Sequence, residues 1–342
     1  MTTYSRDVVV QKLAEGGVHV EVQKPLALLT TYGVGGVADV AVTVRSNADV
    51  IAVATTLREH PEVDVVVLGR GSNTLIADTG FHGVVVIVGS SEESKNIERV
   101  ATGVRVAASM LMPVLARRTV QQGLGGLEWC VGIPGTVGGA VRMNAGGHGA
   151  DMADSLLAAE VVSLRSGEQH MVSASDLGLH FRGSALSPHH VVTAATFAVH
   201  DILPEEGARA LDEIVSWRRN HQPGGRNAGS VFVNPAPNEG SAGSLIDQCG
   251  LRGFTHGGAQ ISEKHANFIQ ASDGATAADV VAVMSHVQDV VRDQCGIVLR
   301  SEVRLVGFDV GVSSRFSDQQ HNDDTNSAAR QRLCTLLGEL DG

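Results

Sequence analysis

Short apolar runs rich in β-branched residues recur between residues 38 and 109, and glycine or polar residues bound each of them. Such runs are typical of strands. They cover residues 38–44, 63–69, 83–89 and 103–109. Residues 48–60 (ADVIAVATTLREH) have helical spacing, and two further strand-like runs at 158–164 and 191–199 follow a glycine-dense segment at 123–149. The pattern predicts a mixed helix and strand unit in two lobes, with the glycine-dense segment between them.

Helical spacing replaces this pattern beyond Pro204, first in EEGARALDEIVSWRRNH (205–221). A second helix is predicted by apolar residues three and four positions apart: Val280, Val283, Met284, Val287, Val290 and Val291. Thr276 and Asp279 can form a capping pair at its start, and Gly296 ends it. We therefore expect a third domain to begin at residue 204.

Residues 309–342 differ from the rest of the chain because they are polar and almost without apolar periodicity. Such a composition is typical of a segment that buries little surface. We expect a mobile tail with at most a short helix at 328–339.

Composition and charge exclude several classes of protein. The 342 residues are 43% hydrophobic, which is enough to form a folded core. Acidic residues exceed basic ones by 37 − 26 = 11, so a general nucleic-acid binder is excluded, although local arginines can still bind a small anion. The 40 glycines indicate many positions with positive φ or close backbone approach, for instance to a ligand.

The cysteines and the N-terminus bear on the compartment. The cysteines are far apart in sequence and include no CxxC pair: Cys130, Cys249, Cys295 and Cys334. This spacing predicts buried thiols in a reducing compartment rather than disulfides or a zinc site. Residues 1–20 lack the apolar core of a signal peptide, and no apolar run approaches 18 residues. We expect a soluble cytoplasmic protein without membrane insertion.

Two glycine-rich segments are candidates for binding phosphate groups. The first follows a predicted strand with Gly69, Arg70, Gly71, Ser72 and Asn73, whose backbone N–H groups can turn toward an anion. It matches neither the dinucleotide fingerprint nor the phosphate loop of nucleotide hydrolases, and a plain turn between strands is the alternative.

The second segment, within 126–149, has little side-chain volume and suits a backbone that lies flat along a diphosphate and a ring system. Its candidate residues are Gly132, Ile133, Pro134, Gly135, Thr136, Gly138 and Gly139. The alternative, a long flexible loop, would expose Ile133, Val137, Val141 and Met143 without reason.

Three polar residues stand in otherwise apolar or glycine-rich surroundings: Arg182 in HFRGS, Ser230 in RNAGSVFVNP and Glu302 in LRSEVRLVG. Taken singly, each has an ordinary interpretation as a surface arginine, a turn serine or a solvated glutamate. Neither HxH nor HxxxH spacing accompanies a carboxylate cluster, so we expect no metal site.

The order of these motifs closely resembles the UDP-N-acetylenolpyruvoylglucosamine reductase family. The resemblance rests on TTYGVGGVAD (30–39), VLGRGSNTLIADTGF (67–81), GLEWCVGIPGTVGGAVRMNAG (126–146), FRGS (181–184), NAGSVFVNP (227–235), GLRGFTHGGAQISEKHANF (250–268) and GIVLRSEVRLVG (296–307). The short distance from Arg182 to Ser230 resembles the second, shorter type of the family.

The resemblance implies an α+β fold with a two-lobed FAD-binding domain of the vanillyl-alcohol-oxidase (PCMH) type and a C-terminal substrate-binding domain. On this basis we expect an N-terminal segment 1–20, an FAD-binding domain 21–203, a substrate domain 204–308 and a tail 309–342. The two lobes would span about 21–90 and 91–203. The implied activity is reduction of an enolpyruvyl UDP-sugar to UDP-N-acetylmuramate for peptidoglycan, with roles in cell shape and division.

The resemblance also implies site residues and partners. Arg182 would stabilise the carbanion, Ser230 would donate the proton, and Glu302 would lie opposite. FAD would be held without a covalent bond by Tyr32, Gly69, Arg70, Gly71, Ser72, Asn73, Gly132, Ile133, Pro134, Gly135, Thr136, Gly138, Gly139, Arg142 and Asn144. The UDP-sugar would contact Arg218, Arg219, Asn234 and His265. NADPH would supply the hydride, and the protein would be a monomer that binds no nucleic acid.

Three positions depart from the pattern of the family: Thr30 replaces asparagine, Phe181 replaces tyrosine, and Val233 replaces a lysine that helps to hold substrate. We expect Arg218, Arg219 or Arg226 to meet the substrate diphosphate in place of that lysine. Two alternatives remain at this stage: another FAD-dependent oxidoreductase of the same fold, or a UDP-sugar-binding regulator without catalytic activity.

Overall fold

The computed structural model describes residues 4–92, 95–236, 238–317 and 324–339. The elements of its first lobe are α1 (Arg6–Glu15), β1 (His19–Pro25), a 3-10 helix (Ala27–Leu29), β2 (Val37–Val44), α2 (Asn47–Glu59), β3 (Val65–Leu68), β4 (Thr74–Ile76) and β5 (Phe81–Val88). One sheet has the order β1-β2-β5-β3, with β2, β5 and β3 parallel and β1 antiparallel. The predicted strands and the predicted helix of this lobe are confirmed.

The N-terminal segment packs on the first lobe from residue 6 onward. Val9 and Leu13 of α1 are fully buried, in one apolar core with Val53 and Leu57 of α2. Helix α2 begins at a capping box, because Ser46 accepts from the Asp49 backbone and the Asp49 carboxylate accepts from the Ser46 N–H. The helix of the N-terminal segment is therefore part of the first lobe rather than a separate extension.

The second lobe contains a five-stranded antiparallel sheet. Its elements are β6 (Ile97–Val100), β7 (Gly103–Ala107), α3 (Met112–Gln121), β8 (Leu124–Gly125), a 3-10 helix (Glu128–Gly132), α4 (Val137–Arg142), β9 (Gly146–Gly147), β10 (Ala150–Asp151), α5 (Met152–Ser155), β11 (Leu156–Ser163), β12 (Gln169–Ser173), β13 (His190–Phe197), β14 (His200–Asp201) and α6 (Pro204–His221). The sheet order is β12-β11-β13-β7-β6. Helix α6 packs on α3 and the 3-10 helix, with Leu211 in the core of this lobe. By packing, α6 belongs to the second lobe, although a third domain was expected to start at 204.

The third domain packs a small antiparallel sheet, β15-β16-β17, against a long helix. Its elements are α7 (Ala242–Gln248), β15 (Thr255–His256), β16 (Ala259–Ile261), β17 (Ile269–Ala271), α8 (Ala277–Cys295) and β18 (Arg304–Val306). Helix α8 has the predicted capping box at Thr276 and Asp279, and Gly296 ends it with a φ of 72°. Contacts that join this domain to the first lobe include Asp78, which accepts from the first backbone N–H groups of α8, and the parallel pairing of β18 with β4.

The tail contains two helices, α9 (Val310–Phe316) and α10 (Asp324–Leu336). Ala329, Leu333 and Leu337 are buried in the core of the second lobe. The short helix allowed at 328–339 corresponds to α10, which is docked on the second lobe, whereas α9 was not predicted. Residues 318–323 and 340–342 lie outside the described part of the chain.

The cysteines differ from their prediction. Cys130 is fully buried, and burial raises the pKa of its thiol. Cys249 is partly exposed and Cys295 is exposed, and their Sγ atoms lie 3.8 Å apart because α7 and α8 end side by side. Cysteines far apart in sequence are thus neighbours in space. Among the helices of the described residues, none combines the length and the apolar character needed to cross a membrane.

Candidate active site

A cavity of about 730 Å³ lies where the two lobes meet the third domain. Both glycine-rich segments line it, through residues 69–73 after β3 and residues 133–136 and 139 around the start of α4. Arg182, Ser230 and Glu302 line the same cavity. The three polar residues therefore line one cavity although the chain separates them widely.

The first glycine loop lies against the backbone of its own lobe. Gly71 has a φ of +59°, and a Cβ atom there would lie 2.2 Å from the carbonyl oxygen of Leu29. At Gly69 a Cβ atom would lie 2.5 Å from Oγ1 of Thr136 on the other glycine segment. Glycine is required at both positions because the loop passes so close to its neighbours.

The second glycine segment divides into residues that line the cavity and residues that pack behind it. Thr136 caps α4 by accepting from the Gly139 backbone at 3.4 Å, and both residues line the cavity. Gly138 is absent from the cavity wall, and its N–H donates to the Ala108 carbonyl at 2.9 Å. Gly132 is also absent from the wall, and a Cβ there would press on His148 and Arg218. The structure thus places Gly132 and Gly138 behind the cavity wall, and their contact with a cofactor stays a prediction.

Arg182 and Glu302 form an ion pair in the cavity wall, with Arg182 Nε 2.8 Å from Glu302 Oε1. Their side chains are 21% and 19% exposed. Arg182 has a φ of +60°, which is uncommon for a residue with a side chain, and its Nη2 donates to the Gly146 carbonyl at 3.2 Å. Burial raises the pKa of Glu302, and the charge of Arg182 opposes that rise. A buried carboxyl beside a fixed guanidinium suits recognition of a substrate carboxylate.

Ser230 and Glu302 lie on paired segments of the third domain. The Glu302 N–H donates to the Val231 carbonyl at 2.8 Å, and the Val233 N–H donates to the Arg300 carbonyl at 3.0 Å. Just before Ser230, Gly229 has a φ of +79°. Within the described residues, the Ser230 hydroxyl makes no hydrogen bond, so it is available to a ligand.

Asn73 and Asn144 hold the backbone around the catalytic candidates. Asn73 lines the cavity, but its amide donates to the Glu302 carbonyl oxygen at 2.9 Å. Asn144 is 2% exposed and donates to Asp151 and to the carbonyl of His180, while its oxygen accepts from a backbone N–H. These bonds position the turn that precedes Arg182, and the cofactor contact of Asn144 stays a prediction.

The remaining predicted cofactor residues differ in their surroundings. Ile133, Pro134, Gly135, Arg70, Ser72 and Arg142 line the cavity. Burial lowers the pKa of Arg142 to about 10, and its guanidinium donates to the Ser187 carbonyl. Tyr32 does not line the cavity; it is fully buried among apolar residues of the third domain, and within the described residues its hydroxyl has no partner.

Of the predicted substrate residues, only Arg218 lines this cavity. Its neighbour Trp217 also lines it and meets the ring of His148 edge-on at 5.0 Å. Arg219 is exposed on α6, and its carbonyl accepts from Lys264.

Asn234 and His265 both make local hydrogen bonds, and their contact with substrate stays a prediction. The Asn234 amide oxygen accepts from the first N–H of α7 at 3.0 Å, and His265 Nδ1 accepts from the Asn267 N–H at 3.2 Å. Neither residue lines the cavity. Arg226, expected as a replacement for the missing lysine, forms an exposed ion pair with Asp273 at 3.1 Å.

A second cavity of about 950 Å³ adjoins the first and shares Arg182, Glu302 and Arg304 with it. Val233 lines this second cavity rather than the first. Further arginines line it from the third domain and from α10: Arg300, Arg330 and Arg332.

Sequence reasoning did not identify Trp217, Phe268, Arg304 or the arginines of α10 as cavity residues. Arg304 could have been found, because it stands two residues after Glu302 and side chains alternate along an extended segment. The others had no local signal, since α6, α10 and the loop that carries Phe268 reach the cavities only through tertiary packing.

The first cavity fits a flavin dinucleotide. Its glycine walls allow a flat ligand to approach the backbone, since the loop at Gly71 leaves no room for a side chain on its other face. Residues 69–72, Pro134, Gly135, Thr136 and Gly139 would hold such a group, mostly through backbone N–H groups.

Comparison with known proteins agrees with this architecture. The family model described as an FAD-binding domain matches residues 38–173. The model for the C-terminal domain of UDP-N-acetylenolpyruvoylglucosamine reductase matches residues 221–306. The second match begins where α6 ends, in line with the packing of α6 on the second lobe.

Curated relatives match most of the chain. The UDP-N-acetylenolpyruvoylglucosamine reductase of Gloeobacter violaceus is 40% identical over 285 residues, covering 82% of this chain and 94% of that protein. The one of Bacillus subtilis is 36% identical over 303 residues, covering 87% and 98%.

Solved structures share the fold. The UDP-N-acetylenolpyruvylglucosamine reductase of Thermus caldophilus superposes with a TM-score of 0.70 at 35% identity, covering 84% of this chain and 98% of that one. Physcomitrella patens BBE-like 1 superposes with a TM-score of 0.56 at 14% identity over 97% and 96% of the two chains, which indicates a common fold alone. The predicted α+β fold with a two-lobed FAD-binding domain of PCMH type is confirmed.

Proposed function

The chain belongs to the UDP-N-acetylenolpyruvoylglucosamine reductase family, and we propose that it uses FAD and NADPH to reduce UDP-N-acetyl-3-O-(1-carboxyvinyl)-glucosamine to UDP-N-acetylmuramate. The observation that carries the proposal is the common cavity of Arg182, Ser230 and Glu302 beside two glycine loops. We further propose that the reaction serves peptidoglycan synthesis and that the protein is a cytoplasmic monomer.

FAD, held by the two glycine loops, would supply the hydride transfer from NADPH to the terminal carbon of the vinyl group. The chain's contribution is to hold the cofactor against the glycine backbone and to bring polar groups to the other reacting atoms. Addition of the hydride leaves negative charge on the adjacent carbon and its carboxylate. The residues of the third domain and of the Arg182 turn act on this charge.

Arg182 binds the substrate carboxylate and stabilises it as it becomes enolate-like. The guanidinium is fixed by its contacts with Glu302 and with the Gly146 carbonyl, so it needs little reorganisation during the reaction. A preorganised donor of this kind contributes about 3 kcal/mol, or on the order of 10²-fold in rate. Glu302, with a pKa raised by burial, can donate a hydrogen bond when protonated.

Ser230 completes the reaction by giving a proton to the carbanion. A serine hydroxyl is a poor acid toward water, but a carbanion is a far stronger base. A general acid held in position contributes roughly 10²–10⁴-fold. The hydroxyl lines the cavity without another hydrogen bond in the described residues, which supports this role.

The test separates the two half-reactions in Ser230→Ala holoenzyme. NADPH should bleach the flavin of the variant at a rate near that of wild type, because no proton is donated to substrate in that step. Reoxidation by the enolpyruvyl sugar should slow by about 10²-fold or more. Equal slowing of both steps would contradict the assignment of Ser230 as proton donor.

A control variant guards against a general loss of structure. Ser241→Ala removes a hydroxyl that caps α7 outside the cavity, and both of its half-reactions should stay near wild type. Colourless protein that binds the UDP-sugar would instead favour the non-catalytic regulator. Turnover that does not require the enolpyruvyl sugar would favour another flavin-dependent oxidoreductase.

A further inference from the structure

The C-terminal helix α10 brings charged residues into the wall of the second cavity. Arg330 and Arg332 of this helix face the same space as Arg300 and Arg304 of the third domain. The family model ends at residue 306, so α10 lies beyond it.

Buried residues before and after Arg330 and Arg332 in the sequence fix the position of α10. Ala329, Leu333 and Leu337 are spaced four residues apart and are buried in the core of the second lobe, which sets the rotation of the helix. The Leu337 carbonyl accepts from the Ser166 hydroxyl just beyond the end of the helix.

Glu339 fastens the end of the tail through hydrogen bonds. Its carboxylate accepts from the Ser163 hydroxyl at 2.6 Å and lies 2.8 Å from Nε2 of His190. Because the Ser187 N–H donates to Nδ1 of His190, the imidazole carries its proton on Nε2 and donates to Glu339. His189 also lies within 3.1 Å of the carboxylate. These hydrogen bonds tie residue 339 to the second lobe and hold α10 in place.

The second cavity is strongly cationic in a chain whose net charge is −11. Its lining includes five arginines, whereas Glu302 is the one carboxylate among the lining residues that the structure describes, and Arg182 pairs with it. Arg304 is accessible from the cavity, and enclosure by protein together with the charge of Arg330 lowers its pKa. Across residues 4–92, 95–236, 238–317 and 324–339, no carboxylate forms an ion pair with Arg304, Arg330 or Arg332.

The charges of Arg304 and Arg330 are close enough that Arg330 lowers the pKa of Arg304, and a bound anion relieves such repulsion between cations. The volume of about 950 Å³ has room for more than an inorganic ion. Arg182 and Glu302 line both cavities, so the second cavity lies directly beside the proposed reaction site. Arginine is also the side chain best suited to bind phosphate oxygens in pairs.

We propose that the second cavity binds the phosphate groups of a nucleotide, and that Arg330 and Arg332 of α10 form part of the binding site. The choice of nucleotide rests on the proposed function: the diphosphate of the UDP-sugar is the expected ligand, and the phosphates of NADPH are the other source of the same chemistry. The C-terminal helix thereby supplies cations to the cavity that is also lined by Val233, the residue in place of the expected lysine.

The test measures binding separately from turnover. UDP and 2′-phospho-ADP-ribose, the phosphate-bearing part of NADPH, are titrated into FAD-loaded wild type and into the Arg330→Ala/Arg332→Ala variant. The double variant should bind UDP at least tenfold more weakly, since it loses two charge-assisted contacts, and the remaining binding should depend less on salt. In turnover, the KM for the UDP-sugar should rise at least tenfold while kcat stays within about threefold.

Arg209→Ala is the matched control, because Arg209 is exposed on α6 and lines neither cavity. Weakened binding of 2′-phospho-ADP-ribose instead of UDP would support the phosphate site and assign it to the dinucleotide. The proposal is overturned if the double variant unfolds at the wild-type temperature and binds both probes within twofold of wild type. If the double variant unfolds at a lower temperature than wild type, binding of both probes is measured instead in the single variants Arg330→Gln and Arg332→Gln. Binding within twofold of wild type in both would likewise overturn the proposal.

The proposed function and the phosphate site at α10 can be contradicted separately. Wild-type holoenzyme that binds neither probe and does not reduce the sugar would contradict the proposed function itself. Normal wild-type turnover together with unchanged binding by the arginine variants would contradict only the site at α10.

Discussion

Replacing Arg182 by alanine tests the ion pair at the centre of the proposed site. The substitution removes a guanidinium whose Nε lies 2.8 Å from Glu302 Oε1, where each side chain is about one-fifth exposed. In the native protein, burial raises the pKa of Glu302 and Arg182 opposes that rise. Without Arg182 the rise is unopposed, so the carboxyl of Glu302 releases its proton only at higher pH.

Two magnitudes follow from this geometry. Loss of a preorganised cation should slow the sugar half-reaction by about 10²-fold, equivalent to about 3 kcal/mol, without slowing reduction by NADPH. Breaking a buried pair costs up to about 3–5 kcal/mol of unfolding free energy when the remaining charge stays ionised. Partial exposure and protonation of Glu302 reduce that cost, since one pKa unit corresponds to about 1.4 kcal/mol.

The loss of stability in Arg182→Ala should therefore grow with pH. A carboxyl whose pKa is raised by folding carries no such penalty below its ordinary pKa of 4.5, where folded and unfolded chains are both protonated. The penalty appears as pH rises through the raised pKa of the folded state. Relative to wild type, the variant should lose more thermal stability at pH 8 than at pH 5.

The assay combines thermal unfolding of the holoprotein at both pH values with anaerobic half-reactions. Arg182→Ala/Glu302→Gln should recover most of the stability lost at pH 8 without recovering the rate, because it removes the buried charge. Arg105→Ala breaks an ion pair with Glu160 outside the cavity, and both its half-reactions should remain normal. A sugar half-reaction within threefold of wild type, or a stability difference independent of pH, would refute the reasoning.

Two further predictions concern the glycine loop and the cysteines. Gly71→Ala should purify with little flavin, because its Cβ would lie 2.2 Å from the Leu29 carbonyl oxygen at a φ of +59°. A normal ratio of flavin absorbance to protein absorbance would count against binding of the cofactor by this loop. Oxidised glutathione should link Cys249 to Cys295 by a disulfide bond, because their Sγ atoms lie 3.8 Å apart. The reaction releases two reduced glutathiones and lowers the protein mass by the two thiol hydrogens. Mass spectrometry that finds only glutathione adducts would contradict that arrangement.

The regular elements were predictable because their signals are local. Strands β2, β3 and β5 coincide with β-branched runs of the sequence. Thr276 and Asp279 mark the start of α8, and Gly296 marks its end. The cavity between the lobes and the third domain was not predictable from periodicity. Its residues are brought together by long-range pairing such as that of β18 with β4, and only the order of the motifs indicated it.

Other features escaped prediction because tertiary contacts decide them. Gly138 has the same local sequence signal as Gly139, but its backbone packs on Ala108 while Gly139 faces the cavity. Only three apolar residues pack α10 and the position just after it on the second lobe: Ala329, Leu333 and Leu337. In a polar segment, three such residues are too few to distinguish a docked helix from an exposed one. The neighbourhood of Cys249 and Cys295 likewise depends on how α7 packs on α8.

The most direct test of the central claim is anaerobic reoxidation of the wild-type protein. Its flavin is first reduced with one equivalent of NADPH, and the enolpyruvyl UDP-sugar is then added without oxygen. We expect the oxidised flavin spectrum to return with one UDP-N-acetylmuramate formed per flavin. A flavin that stays reduced in the presence of excess sugar would contradict the claim that Arg182, Ser230 and Glu302 surround the double bond of this substrate.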